Sequence, residues 1–269
     1  MKTIRWGMIG CGDVAEVKSG PALYKTPNSK LIAVMRRNGE LAADYARRHG
    51  ASRWTTDADE IIHAPDIDAV YIATPTEGHC DYTVRCAAAG KMVYCEKPMA
   101  VTHEQCETMI AACERAGVPL WIGYYRRALP RFLAVRDLVQ QGAIGEIASY
   151  RFASGVYGSG SWCLAADVDE ECNEIVGSTG RIRFSTTKPV PIEIIRGESV
   201  ERRPVADPPH VHQPLVQTII DEVNGRGTCP STGRSAARTA RVMDAILGEF
   251  RSSRRANVVF SRSAEAMHG

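Results

Sequence analysis

The sequence lacks any apolar run long enough to cross a bilayer, which argues against a membrane span. Its first residues lack the charged, apolar and small-residue succession of a secretory leader, so a cytoplasmic protein is expected. Neither sign of charge is in real excess. Lys and Arg number 33 against 31 Asp and Glu, a formal net charge of +2. With both signs scattered along the chain, no dedicated nucleic-acid or polyanion surface is expected. C-x-x-C pairs and His/Cys clusters at zinc spacing are also missing, so no metal is expected. The nine cysteines, an odd number in a long chain, read as reduced thiols whose default role is small apolar packing.

What is present is an ordinary globular composition, 44% hydrophobic and 24% charged, in 269 residues, a comfortable length for two domains. The chain is organised around Ile4-Arg5-Trp6-Gly7-Met8-Ile9-Gly10-Cys11-Gly12-Asp13-Val14-Ala15, a short buried strand, a glycine turn and a helix start. Its Gly10-x-Gly12-x-x-Ala15 spacing is a dinucleotide fingerprint. Gly10 permits the tight turn, Gly12 lets a pyrophosphate approach the backbone, and Ala15 lets the helix pack closely on the strand. The helix, expected from Val14 to Lys25, directs unpaired N–H groups at the phosphates.

A second strand, Leu31-Ile32-Ala33-Val34-Met35, ends at Arg36 and Arg37. An acidic residue here would hold the ribose 2′-OH of NAD, whereas arginine accommodates the 2′-phosphate of NADP. No carboxylate occurs until Glu40, so NADP is favoured, with NAD as the alternative; solvated surface arginines are the bland reading. Helix and strand then alternate through Glu40–His49, Asp66–Thr74, Gly78–Ala89, Lys91–Cys95 and Pro119–Tyr124. Thr102 and Gln105 have capping-box spacing, so a helix is expected from Thr102 to Gly117. The alternation implies parallel βαβ units, whose ligands bind beyond the carboxyl ends of the strands. Thr74, Pro75, Glu96, Lys97, Tyr124 and Tyr125 stand at those ends.

The glycine turn, Ala73-Thr74-Pro75 with His79, and Gly90-Lys91 leading to Glu96-Lys97-Pro98 together resemble the Gfo/Idh/MocA oxidoreductases. Tyr124-Tyr125-Arg126-Arg127 with Pro130 and Gly142-Ala143-Ile144-Gly145-Glu146-Ile147 extend the match, which covers nearly all of residues 1 to 150. The resemblance implies an α/β fold: a Rossmann domain over residues 1–123, then an α+β domain with a mostly antiparallel sheet over residues 124–269. It implies hydride transfer between a nicotinamide cofactor and a sugar, polyol or dihydrodiol-like alcohol or carbonyl. By the same resemblance Lys97 is the catalytic lysine at the reacting oxygen. Gly10, Gly12, Asp13, Val14, Ala15, Arg36, Arg37, Thr74, Pro75, His79, Glu96 and Lys97 bind the cofactor, and Tyr124 and Arg126 are candidate substrate contacts. A homo-oligomer through the C-terminal sheet is the expected assembly.

The family's Gly-Gly…Asp-x-Gly-x-His…Asp motif, which supplies a histidine facing the nicotinamide, has no counterpart in this sequence. Ile147-Ala148-Ser149-Tyr150-Arg151-Phe152 runs directly into a Gly- and Ser-rich stretch ending at Trp162, so an internal segment is expected to be missing between about Tyr150 and Gly155. Asp167 and Asp169 have no histidine at useful spacing, and Arg251, Arg254 and Arg255 read as a solvated basic end. His210 and His212 are expected in solvated or capping roles, and Cys95 as packing. A non-catalytic NADP(H)-binding relative is therefore the alternative reading. An S-adenosylmethionine user is a third, disfavoured by Glu96-Lys97-Pro98 and the arginine pair.

Overall fold

Strand β1 (Ile4–Ile9) sits at the centre of a parallel sheet, and a computed structural model describes residues 1–153 and 171–246 around it. The sheet adds β2 (Ser29–Met35), β3 (Arg53–Thr55), β4 (Ala69–Ile72), β5 (Met92–Cys95) and β6 (Leu120–Ile122), in the order β3-β2-β1-β4-β5-β6. That order reverses direction between β1 and β4, which opens a crevice at the carboxyl ends of those strands. Strand β1 runs parallel to both neighbours, Met8 pairing with Val34 on one side and Tyr71 on the other. Trp162, Asp167, Asp169, Arg251, Arg254, Arg255 and His268 lie outside the described residues.

The two faces of the sheet bury different chemistry. Ile9, Val70, Ile72, Val93, Cys95 and Ile122 join one aliphatic core with the helices on that side. Trp6, Tyr71 and Tyr94 line the other face, with ring centroids 6.1 Å apart for Trp6–Tyr94 and 4.9 Å for Tyr71–Tyr94. Side-chain alternation along each strand produces this division.

Helix boundaries follow local chemistry. In α2 (Gly39–His49) the Asn38 side chain accepts the Leu41 N–H and Gly50 closes the helix at φ 69°. In α5 (His103–Ala116) Thr102 accepts the Gln105 N–H, and the Gln105 side chain accepts the N–H of Val101, one residue earlier than the reciprocal capping-box bond. The expected continuous helix over Val14–Lys25 is corrected. A π-helical turn over Ala15–Ser19 is followed by the short α1 (Ala22–Lys25). Pro21 has no N–H to donate, and the Tyr45 hydroxyl shares the Ala15 carbonyl with the Gly20 N–H, so the regular ladder widens there. Short α3 (Asp59–Ile62) and α4 (His79–Ala88) complete the crossovers before α5.

By contacts, the chain divides into a unit of Met1–Tyr125 with the chain from His212 onward, and a second unit of Arg126–Val211. The C-terminal part of the first unit is α7 (Gln213–Val223) and a helix over residues 233–246. The Asn224 side chain accepts the Lys2 N–H at 2.7 Å and donates to the Lys2 carbonyl at 3.2 Å, and Trp121 pairs with Thr232 as an antiparallel bridge. In the second unit α6 (Pro130–Gln140) packs Val135 and Leu138 on Ile182, Phe184, Ile192 and Ile194. Those residues belong to an antiparallel sheet of β7 (Ile147–Ala153), β8 (Cys172–Gly177), β9 (Arg181–Phe184), β10 (Ile192–Arg196) and β11 (Ser199–Arg203). Arg131 is buried and donates to the carbonyls of Ser185 and Lys188, which ties α6 to the loop after β9. A row across the opposite face alternates in sign: Arg151, Glu174, Arg183, Glu193 and Arg202 are register neighbours on successive strands.

Candidate active site

The carboxyl ends of β1, β2 and β4 enclose a cleft of about 490 Å³, lined by Gly10, Gly12, Met35, Arg36, Arg37, Asn38, Leu41, Ala73, Thr74, Pro75, Gly78 and Tyr82. Backbone bonds fix its floor. Gly10 N–H donates to Met35 O at 2.9 Å, and Ala73 N–H to Ile9 O at 2.8 Å. Gly10 has φ +98°, and a Cβ there would lie 2.8 Å from the Ala73–Thr74 backbone, so the turn admits only glycine. A Cβ on Gly12 would meet nothing within 4 Å; it would project into free space at the turn. That open backbone is what a close-approaching pyrophosphate needs, so these residues fit a dinucleotide.

The polar lining at the second strand is cationic. Arg36 donates to the Cys11 carbonyl at 3.3 Å, Arg37 is exposed, and among the described lining residues none is acidic. Asp13 and Val14 stand exposed after the glycines, while Ala15 is fully buried. Asn38, Leu41 and Tyr82 line the cleft without having been singled out in the sequence; Leu41 follows the helix cap, and Tyr82 lies one turn into α4.

His79 is buried, with Nδ1 2.9 Å from Pro98 O and Nε2 2.9 Å from Thr74 O. It couples the loops that follow β4 and β5. The Lys97–Pro98 peptide is cis, and Lys97 is exposed at the end of β5. Glu96, by contrast, turns inward and is 6% exposed. Its Oε1 accepts the Tyr71 hydroxyl at 2.7 Å and its Oε2 the Lys97 N–H at 3.1 Å. Burial raises the Glu96 pKa, and the Tyr71 and Lys97 hydrogen bonds oppose it. Gly123 makes room for that carboxylate, since a Cβ there would sit 2.9 Å from Oε1. Cys95 is fully buried, and burial pushes its thiol well above its ordinary range, which makes it inert packing.

His212 is the main correction to the sequence reading. It stands at the N-cap position of α7 without a side-chain cap bond, and is 2% exposed rather than solvated, with Nδ1 2.9 Å from the Tyr94 hydroxyl and Nε2 3.8 Å from Glu96 Oε1. The Tyr125 ring lies over it, centroids 4.7 Å apart. Burial, helped by the ammonium groups of Lys97 and Lys18, pushes its pKa down to about 3, so the ring is neutral at physiological pH. A signal was available. His212, Leu215, Val216, Ile219 and Ile220 share helical spacing, and all are buried. Tyr124 follows β6 half-buried, and Arg126 is exposed in the short turn Tyr125–Ala128.

Among the described residues no group of His, Cys, Asp and Glu could hold a metal ion, and no helix is long and apolar enough to cross a membrane. The sequence profile of an oxidoreductase family with an NAD-binding Rossmann fold, Gfo/Idh/MocA, matches residues 4–124. An oxidoreductase of Formosa agariphila is 31% identical over 317 aligned positions, covering 91% of this chain and 98% of the relative. The 1,5-anhydro-D-fructose reductase of Ensifer adhaerens is 35% identical, over 57% of this chain and 46% of the relative. The same fold occurs in a 3-ketoreductase from Actinomadura kijaniata, solved with NADP and TDP-benzene. Its TM-score is 0.75 at 22% identity, over 91% of this chain and 97% of that one. A Rossmann sheet with an open glycine turn, a separate antiparallel sheet and a nearly full-length relative lead to one conclusion: the chain belongs to the Gfo/Idh/MocA oxidoreductases.

Proposed function

We propose that this protein is an NADP(H)-dependent oxidoreductase acting on an alcohol or carbonyl of a sugar, polyol or dihydrodiol-like compound. The observation that carries the reading is the cleft itself: open backbone at Gly12, two arginines at the end of β2, and no acidic residue among its described lining. NAD is the alternative cofactor. When bound, the nicotinamide exchanges hydride with substrate carbon. Gly10 and Gly12 take the pyrophosphate, with Asp13, Val14 and Ala15 shaping the turn, and Arg36 and Arg37 pair with the 2′-phosphate through charge-assisted hydrogen bonds. Thr74 and Pro75 border the cofactor, while His79 and Glu96 hold the loops that carry Thr74 and Lys97.

Lys97 serves the reacting oxygen. In the reducing direction its ammonium hydrogen-bonds the carbonyl oxygen and hands over a proton as hydride arrives at carbon, giving the alcohol and a neutral amine. Tyr124 and Arg126 are proposed to contact substrate. Functionally, residues 1–123 hold the cofactor and residues 124–269 serve substrate and assembly, residues 212–246 packing within the first unit. The expected missing segment is supported by the alignment to the Formosa relative, whose 317 positions exceed the length of this chain. A cytoplasmic setting is supported by free thiols at every described cysteine. A homo-oligomer through the charged face of the antiparallel sheet completes the reading.

The second reading, a non-catalytic NADP(H)-binding relative, is favoured by the absent histidine motif, since positioned acid–base groups contribute about 10²–10⁴-fold. One experiment separates the two. NADPH binding is followed by fluorescence, and NADPH oxidation is measured with a panel of sugar-derived ketones, for the unmodified protein and Lys97→Met. Slow turnover abolished in Lys97→Met, with NADPH affinity retained within a few-fold, supports the enzyme. Firm NADPH binding without turnover on any ketone supports the binding protein, and absence of NADPH binding overturns both.

A further inference from the structure

Next to Lys97 in the chain lies a buried polar cluster, none of whose residues lines the cofactor cleft. Tyr94 and Glu96 come from the end of β5, Tyr71 from β4, and His212 from the start of α7. Its hydrogen positions can be deduced. Burial and the nearby Glu96 raise the Tyr94 pKa well above its ordinary value, so the phenol keeps its proton and needs an acceptor. His212 Nδ1, at 2.9 Å, is that acceptor. A neutral imidazole that accepts at Nδ1 carries its proton at Nε2. That nitrogen is 3.8 Å from Glu96 Oε1, too far for a direct hydrogen bond and close enough for the N–H dipole to favour the carboxylate.

We propose that His212 is a positioning residue for Lys97: the Tyr94 hydroxyl fixes its imidazole with the proton on Nε2, and that N–H faces the Glu96 carboxylate, whose other oxygen takes the backbone N–H of Lys97. The proposal rests on the reading of Lys97 as the residue at the reacting oxygen. Two features make the arrangement more than packing. First, Glu96 is almost fully buried, so its ionised form depends on the donors aimed at it; Tyr71 and the Lys97 N–H supply two, and His212 supplies a third dipole. Second, the charges facing the cluster all bear on the same balance. Lys97 and Lys18 act on His212, and Lys97 and His79 act on Glu96. With Glu96 ionised, its Oε2 is a full-strength acceptor that anchors the Lys97 backbone. Protonation of that carboxyl would weaken the anchor and remove the negative charge beside the Lys97 loop.

The test reads Glu96 through the Lys97 amide by ¹H–¹⁵N spectroscopy, without requiring turnover. Long-range ¹H–¹⁵N spectra of the histidine rings should show His212 as the neutral Nε2–H tautomer from about pH 5 to about pH 8. In the unmodified protein the pH midpoint of the Lys97 amide reports Glu96. His212→Phe, which removes the Nε2–H, should raise that midpoint by about one pH unit or more. His212→Gln, which returns an N–H donor towards Glu96, should bring it back. An Nδ1–H tautomer, or a midpoint that does not move in His212→Phe, overturns the proposal. If His212→Phe does not fold, the ring spectra of the unmodified protein and the His212→Gln midpoint decide. NADPH titration of the same samples keeps the two readings apart. Loss of NADPH binding in the unmodified protein would sink the proposed function while leaving the tautomer and midpoint results to stand or fall alone.

Discussion

The hydroxyl of Tyr94 and the Nδ1 of His212 meet at 2.9 Å across 118 residues of chain. This bond joins the end of an inner strand, β5, to the residue that precedes helix α7, reached only after the whole second unit has been traversed. It also buries an imidazole whose ordinary pKa of 6.5 falls to about 3.

That burial carries a sign. Above about pH 6.5 folded and unfolded chains both hold His212 neutral, and its contribution is fully present. Below it the unfolded chain takes a proton that the folded one refuses, so stability is lost as pH falls towards about 3. The slope is about 1.4 kcal/mol per pH unit. Urea denaturation of the unmodified protein and His212→Gln should therefore differ by about 2 kcal/mol less at about pH 5 than at about pH 7.5. A constant difference between them would show that His212 titrates normally.

The two glycines of the turn should fail in different ways. Gly10→Ala forces a side chain onto φ +98° and against the Ala73–Thr74 backbone, and is expected to cost about 1–3 kcal/mol of stability. A Cβ at Gly12 meets nothing within 4 Å in the folded chain, so the unfolding midpoint of Gly12→Val should stay close to that of the unmodified protein while NADPH affinity collapses. Normal NADPH binding by Gly12→Val would make the turn a packing device only.

Arg36 and Arg37 should set cofactor preference. Each charge-assisted contact is worth about 1.5–3 kcal/mol, so NADPH is expected to bind at least about tenfold more tightly than NADH. Replacing both with alanine should erase the difference, as read by fluorescence titration. Equal affinity in the unmodified protein would refute the assignment.

Gly123→Ala places a methyl 2.9 Å from Glu96 Oε1, against a carboxylate held by the Tyr71 hydroxyl and the Lys97 N–H. The expected cost is about 1–3 kcal/mol, measured by chemical denaturation. Pairing it with Glu96→Ala should relieve most of that cost, because the colliding atoms are gone.

Much of the first unit was legible in the sequence because its signals are local. Thr102, Gly50 and Gly117 mark helix ends by their own side chains or by positive φ, and the strand-end residues Arg36, Thr74 and Lys97 follow from period and alternation. The break after Ser19 was not legible, because it depends on the Tyr45 hydroxyl arriving from 30 residues away to share a carbonyl. His212 was misread for the same kind of reason. Prolines before it look like a solvated linker and mask the helical spacing it shares with Leu215 and Val216, while its polar partners Tyr94 and Glu96 are distant in sequence. Nor does local pattern reveal that residues 212–246 return to the first unit, since that is decided by pairings such as Asn224 with Lys2.

The Tyr125–His212 ring contact marks both the point where the chain leaves the first unit and the point where it comes back. Residues 126–211 are thus a parenthesis in the chain, opened and closed at one place. The entropic cost of closing such an excursion grows only slowly with its length, by about 0.6 kcal/mol per doubling. Strands and helices could be added to or deleted from the parenthesis over evolutionary time without breaking a bond in the cofactor-side sheet. A lineage could in this way trade away part of its second unit and keep the dinucleotide fold whole.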